Sequence, residues 1–78
     1  MIILGKEYTF LLASDIDRNG LGWECYSKVE AEEKLILEVF RNDAKKCFEV
    51  SQFVSDLPLE LYEYVIATSR EKLGNFQL

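Results

Sequence analysis

The chain contains no histidine. That absence removes the commonest general base, the commonest metal ligand and every Ser-His or Cys-His nucleophile pair. Runs of the type G-x-x-x-x-G-K-S/T or G-x-G-x-x-G are missing too, so no phosphate cradle is encoded. Cysteine is scarce: Cys25 and Cys47 fall in different predicted strands. In a reducing compartment they stay thiols, and two thiols without histidine make a poor zinc site. No apolar run approaches the length of a membrane span. The opening Met1-Ile2-Ile3-Leu4 is too short for a secretory leader and meets charge at once, at Lys6 and Glu7. The expected location is the cytoplasm.

Basic residues are the minority, 9 against 14 acidic ones, for a formal charge of −5. This average field repels a phosphate backbone. The only clustered cations are Lys45-Lys46 and the pair Arg70 and Lys72. Neither direct nucleic-acid binding nor membrane binding is expected. An acidic chain is the better partner for a basic protein, because opposite charge also speeds encounter.

A length of 78 residues allows one small domain, residues 1–78, with a limited core. Its first strong signal is Arg18-Asn19-Gly20-Leu21. Asn-Gly tolerates positive φ at both central positions of a tight hairpin turn. Taken as a two-residue loop, it sets Arg18 opposite Leu21, Ile16 opposite Trp23, Ser14 opposite Cys25 and Phe10 opposite Val29. Tyr8, Phe10, Leu12 and Trp23 then share the core side. Leu11, Asp15, Asp17, Glu24, Tyr26 and Lys28 fall on the other side. Glu30-Ala31-Glu32-Glu33 is rich in helix formers and could make one helical turn. Lys34 to Arg41 is strand-like, Asn42 to Lys45 reads as a turn, and Lys46 to Phe53 as the next strand. Pairing Arg41 with Lys46 puts Glu38 opposite Glu49 and Phe40 opposite Cys47 on the solvent side, beside Ile36.

The last segment reads as a helix from about residue 57 to about residue 73. Ser55 and Asp56 offer capping oxygens and Pro58 fits the first turn. Apolar residues recur at helical spacing through Leu61, Tyr62, Val65, Ile66 and Leu73, and Gly74 supplies the stop. The expected fold is therefore α+β: a four-stranded antiparallel meander, with its hairpin turn at Asn19-Gly20, and one C-terminal helix packed on one face. Such a sheet leaves little room for a pocket, so catalysis is not expected and no cofactor is implied.

Asp15-Ile16-Asp17-Arg18-Asn19-Gly20 matches the opening of a calcium loop, D-x-D-x-N-G. The pattern then fails, since Tyr26 stands where a bidentate glutamate should close the site and the flanks alternate like strands. A calcium-binding hairpin using Glu24 is thus a lesser alternative, and no metal ligands are assigned.

The registers above set Asp15 against Glu24 and Glu38 against Glu49, pairs of like charge that destabilise a sheet. With Tyr26, Ile36 and Phe40 exposed among them, the face resembles the centre of an interface with an acidic rim. The candidate partner-binding residues are accordingly Asp15, Asp17, Glu24, Tyr26, Ile36, Glu38, Phe40 and Glu49. The expected activity is occlusion of a larger basic protein, such as a nuclease or another nucleic-acid-binding effector. Nuclease inhibitors, immunity proteins and anti-defence proteins share that logic of charge and size. The rival expectation is a self-associating structural or regulatory module, a homodimer through the face or an open strand edge.

Overall fold

A computed structural model describes residues 1–77. Strands β1 (Ile2–Ile3), β2 (Lys6–Asp15), β3 (Gly20–Val29), β4 (Glu32–Asn42) and β5 (Cys47–Gln52) precede helix α1 (Leu59–Leu73). The strands form one antiparallel meander in chain order. The α+β class, the antiparallel sheet and the single C-terminal helix agree with the sequence, but the sheet has five strands where four were expected.

The additional strand is β1, which folds back on β2 with Ile2 opposite Glu7 and Ile3 opposite Lys6. Its turn is Leu4-Gly5, with φ of 50° and 78°. Both central residues are left-handed, as a tight hairpin turn requires. Leucine at the first of them gives no turn signal, which is why this hairpin is invisible in the sequence.

Between β2 and β3 the loop is Ile16–Asn19, four residues long, and Gly20 already belongs to β3, opposite Asp15. Asn19 does take a left-handed φ of 56°. Asp15 closes the turn through its side chain, with Oδ1 accepting the Arg18 N–H at 3.1 Å, a local competitor that a two-residue loop does not allow. Relative to the expected register every pairing of β2 with β3 moves by an even number of places: Phe10 faces Cys25 and Leu12 faces Trp23. An even shift preserves the faces. The same holds between β4 and β5, where Arg41 faces Phe48 and Val39 faces Val50. Between β3 and β4 no helical turn intervenes. Glu30-Ala31 is a tight turn with Glu30 at φ 57°, and Glu32 and Glu33 begin β4.

One irregularity re-aims a side chain. Cys25 pairs with Leu37 and Tyr26 with Leu35, so Ile36 is the extra residue of a β-bulge. Ile36 leaves its expected place on the solvent side and joins the core with Tyr8, Trp23, Cys25, Leu37, Val39, Leu61, Val65 and Leu73. Burial pushes the Cys25 thiol up to about 11. It also raises the Tyr8 hydroxyl, helped by the neighbouring Cys25.

Helix α1 packs on β3 and β4. Its buried residues Leu61, Val65, Ser69 and Leu73 recur every four places, one stripe of a helix surface. Pro58 is itself the N-cap, with no side-chain cap from Ser55 or Asp56. Trp23 Nε1 donates to Thr68 Oγ1 at 3.0 Å, and the Phe10 ring stacks on Trp23 at 5.4 Å. The other end of the helix is clipped by a buried cation. Arg41 lies on the core face of β4, donates to the Leu73 carbonyl, and is gripped by both oxygens of Asp43 at 2.9 and 3.1 Å. A guanidinium is favoured here because helix carbonyls concentrate negative charge at this end. Asp43 also accepts the Gln77 N–H at 3.0 Å.

Two outcomes follow from these contacts. Leu4→Asn creates an Asn-Gly turn in the observed backbone conformation. It is expected to stabilise the fold by about 0.5–1 kcal/mol, read as a shift in the urea midpoint. Burial alone pushes the Asp43 carboxyl up, but the Gln77 N–H and the Arg41 guanidinium pull it down harder, to below the usual range. The folded chain therefore releases this proton at lower pH than the unfolded chain does. The contribution of this carboxylate to stability is present above the ordinary aspartate range, about pH 4, and is lost as acid protonates Asp43. In urea titrations Asp43→Asn is expected to lower stability at neutral pH and to flatten this acid limb.

Candidate functional site

Helix α1 covers one face of the sheet, so the opposite face carries the candidate residues. Alternation along β2, β3, β4 and β5 brings Leu11, Ala13, Gly22, Glu24, Tyr26, Glu38, Phe40 and Glu49 onto it. Across the strands one row runs Ala13, Gly22, Phe40, Glu49, and the next runs Leu11, Glu24, Glu38, Ser51.

The first row is a covered trough. A Cβ on Gly20 would lie 2.6 Å from Phe40 Cζ, and one on Gly22 would lie 2.7 Å from Glu38 Oε2. Their bare backbones let Phe40 and Glu38 lie flat on the sheet. Over Phe40 the hairpin loop lays the Arg18 guanidinium, 3.9 Å above the ring centroid, a favourable stacking of cation on aromatic face. Arg18 Nη1 and Nη2 donate to the two oxygens of Glu38 at 3.0 and 2.9 Å. Its Nε donates to Asp15 at 2.6 Å.

The expectation that Phe40 is an exposed anchor is therefore corrected: it is 1 % exposed, and Glu38 4 %. The hydrogen bonds of Arg18, first on its side chain and then on its N–H, hold the Asp15 carboxyl below the usual range. Those of Glu38 and Asp15 hold the guanidinium more firmly protonated than usual. Asp15 is thus committed to a cation of its own chain.

The expected clashes of like charge are replaced by a different one. Asp15 faces Gly20 and not Glu24. Glu38 faces Ser51, and Glu49 faces Phe40. Instead Glu24 and Glu38 are directly opposite. Arg18 neutralises the Glu38 side of that pair, while Glu24 accepts the Tyr26 hydroxyl proton at 2.8 Å. That bond to a carboxylate raises the pKa of Tyr26. Glu49 accepts from Asn42 Nδ2 at 2.9 Å and, more loosely, from Lys45, and these contacts hold its carboxyl low.

Of the eight candidate residues, the structure ties Asp15, Glu38 and Phe40 together through Arg18. It sets Glu24 and Tyr26 beside them half-buried, and Glu49 across from Phe40. Asp17 lies exposed at the loop tip, and Ile36 is on the other side of the sheet. Two residues of this cluster escape the sequence reading. Arg18 looks like a turn residue. Gly22, a lone glycine in the middle of a strand, is itself a signal of close approach by another group.

A groove of about 640 Å³ opens at the far end of the sheet, between the β3–β4 turn and the segment leading into α1. Its lysines Lys6, Lys28 and Lys34 are matched by Glu7, Glu30 and Asp56. Charges so balanced leave no net field to draw in an ion of either sign. Among the described residues no group of three or more histidine, cysteine, aspartate or glutamate side chains could hold a metal ion, and no helix is long and apolar enough to cross a membrane. Comparisons with family models, with curated proteins and with solved structures find no match.

Removing the guanidinium isolates the test of this cluster. Arg18→Ala uncovers Phe40 and leaves buried Glu38 opposite Glu24 without a counter-charge. The expected loss is about 2–4 kcal/mol, moderated because Arg18 is itself partly solvated. Glu38→Gln in the Arg18→Ala background is expected to recover part of it. Equal stability of Arg18→Ala and wild type in urea would show that the trough does not depend on its cover.

Proposed function

We propose that this chain is a small, acidic, non-enzymatic protein-binding module that occludes a larger basic protein through the open face of its sheet. One observation supports the reading above the others: on the face that no helix covers, two glutamates stand directly opposite each other, Glu24 and Glu38, and only Glu38 has a cation. Glu24 keeps its charge partly in solvent, flanked by Tyr26 and by Leu11, which is 53 % exposed. A partner's lysine or arginine would relieve the repulsion, while Leu11 and Tyr26 would supply apolar contact. In this reading Leu11, Glu24 and Tyr26 take over the contact role assigned from sequence to Phe40 and Ile36. Asp17 and Glu49 belong to an acidic rim that steers a basic partner.

A partner that handles nucleic acid fits this chemistry, because its own binding surface must be positive. An inhibitor, an immunity protein or an anti-defence protein would use the face in this way. The site of action would be the cytoplasm, and neither a cofactor nor direct contact with nucleic acid would be needed.

Affinity capture from a lysate of the native source, with wild type beside Leu11→Lys/Glu24→Lys, tests the proposal. Leu11 is exposed and Glu24 half-buried on this face, and neither side chain belongs to the core under the helix, so the variant is expected to keep its fold by circular dichroism. A basic protein retained by wild type, released as salt rises well above about 0.15 M, and lost by the variant is the expected result. Retention of the same proteins by both, or binding indifferent to salt, would overturn it.

A further inference from the structure

The two edges of the sheet differ. The β5 edge is flanked by Lys45 and Lys46, a common protection against strand addition. Among the described residues the β2 edge is covered only at its start. Tyr8 N–H donates to the Met1 carbonyl at 2.8 Å, and the Met1 amino group donates back to the Tyr8 carbonyl at 3.2 Å. The backbone groups of Tyr8 therefore point away from β3. Strand alternation aims those of Phe10, Leu12 and Ser14 the same way. Among the described residues no strand lies beside them, since β1 pairs with Lys6 and Glu7.

This free stretch, Thr9 to Asp15, has no lysine, no proline and no bulge against β3. Leu11 and Leu12 on it are 53 % and 45 % exposed. Met1 and Ile16, at its two ends, are 52 % and 92 % exposed.

We infer that the β2 edge is a self-association surface, on which a second copy of this chain adds its own β2 in antiparallel register about a twofold axis at Leu12. The boundaries of the slot select that register. Met1 blocks it at Tyr8 and the loop beginning at Ile16 blocks it after Asp15, so Leu12 is its midpoint. With the axis there, Leu12 faces Leu12, Phe10 faces Ser14 of the second copy, Leu11 faces Ala13 and Thr9 faces Asp15. All three outward-pointing residues fall in hydrogen-bonded pairs, giving about six bonds.

Sliding the axis by one residue to Leu11 is worse on two counts. It pairs Ser14 with Tyr8, whose groups are already taken by Met1, and it sets Glu7 against Asp15. A twofold axis perpendicular to the sheet keeps the faces aligned. Both helices would lie on one side of a continuous sheet and both acidic faces on the other. The inference rests chiefly on backbone groups at the edge, and it shares Leu11 with the proposed partner surface.

A single strand ladder is a small interface, and small interfaces are weak. Sedimentation equilibrium from about 10 μM to about 1 mM is therefore the first measurement. The weight-average mass is expected to climb from 9.1 kDa toward twice that value. Leu12→Lys, a charge on the edge, is expected to hold the mass at one chain, as is Ser14→Pro, which deletes an outward N–H.

The second measurement guards against variants that fail to fold. In a Cys47→Ser background, L12C chains would meet across the axis at about 5.5 Å between Cα atoms, within reach of a disulfide. They are expected to cross-link on mild oxidation faster than V50C chains, whose cysteine is on the other edge strand. A wild-type mass fixed at one chain up to about 1 mM would overturn the inference. So would cross-linking of L12C no faster than V50C, or dimerisation of folded Leu12→Lys at wild-type strength.

Discussion

A single helix can shield only one face of a five-stranded sheet, and the rest of this structure follows from that constraint. The core is laid on the helical side, where Trp23, Leu37 and Val39 meet Leu61, Val65 and Leu73. The other face has to limit its own exposure with what the strands and their loops supply. It does so with a large ring, two glycines that make room for that ring and for the Glu38 carboxylate, and a guanidinium folded down from the adjacent hairpin. The resulting patch is dry around Phe40 yet charged at its rim. A buried carboxylate and a cation with bidentate geometry are stable there only because each satisfies the other.

Two arginines thus fasten the two sides of one strand region. Arg18 works from the hairpin loop onto Glu38 and Phe40. Arg41, in the same strand as those two, works on the opposite side onto Asp43 and the end of the helix. Arg41 is 7 % exposed and Asp43 likewise, so neither could be left alone without a large desolvation cost. The pair holds in place the helix terminus and the segment up to Gln77, whose Phe76 ring packs against Phe48 at 5.0 Å.

Much of this was legible in the residues. The helix and its stop at Gly74 follow from spacing and turn chemistry, and the faces of β2 through β5 follow from alternation. Those faces survived registers that were wrong by two or four places, because side-chain direction depends only on whether the shift is even. What escaped has local physical causes. Leu4 takes a left-handed turn position that leucine seldom occupies, and so concealed β1. The bulge at Ile36 breaks alternation where nothing in the residues marks a break. The Arg18 cover spans twenty positions in the chain and depends on a loop whose length the Asn-Gly signal misstates. Alternation puts the candidate strand residues on the side of the sheet away from the helix, Ile36 excepted. Its apolar anchors were misjudged because burial beneath a cation cannot be seen from strand patterning.

The Arg41 clip also bears on the order in which the chain can assemble. Each hairpin of the meander joins neighbours in sequence, and such contacts close quickly. The bond from Arg41 to the Leu73 carbonyl joins positions 32 apart, and the Asp43 contact with Gln77 joins positions 34 apart. During synthesis the strands emerge first and can pair while the helix that will cover them is still being made. For that interval the apolar side of the sheet has no lid, and its protection rests on how soon the C-terminal helix arrives.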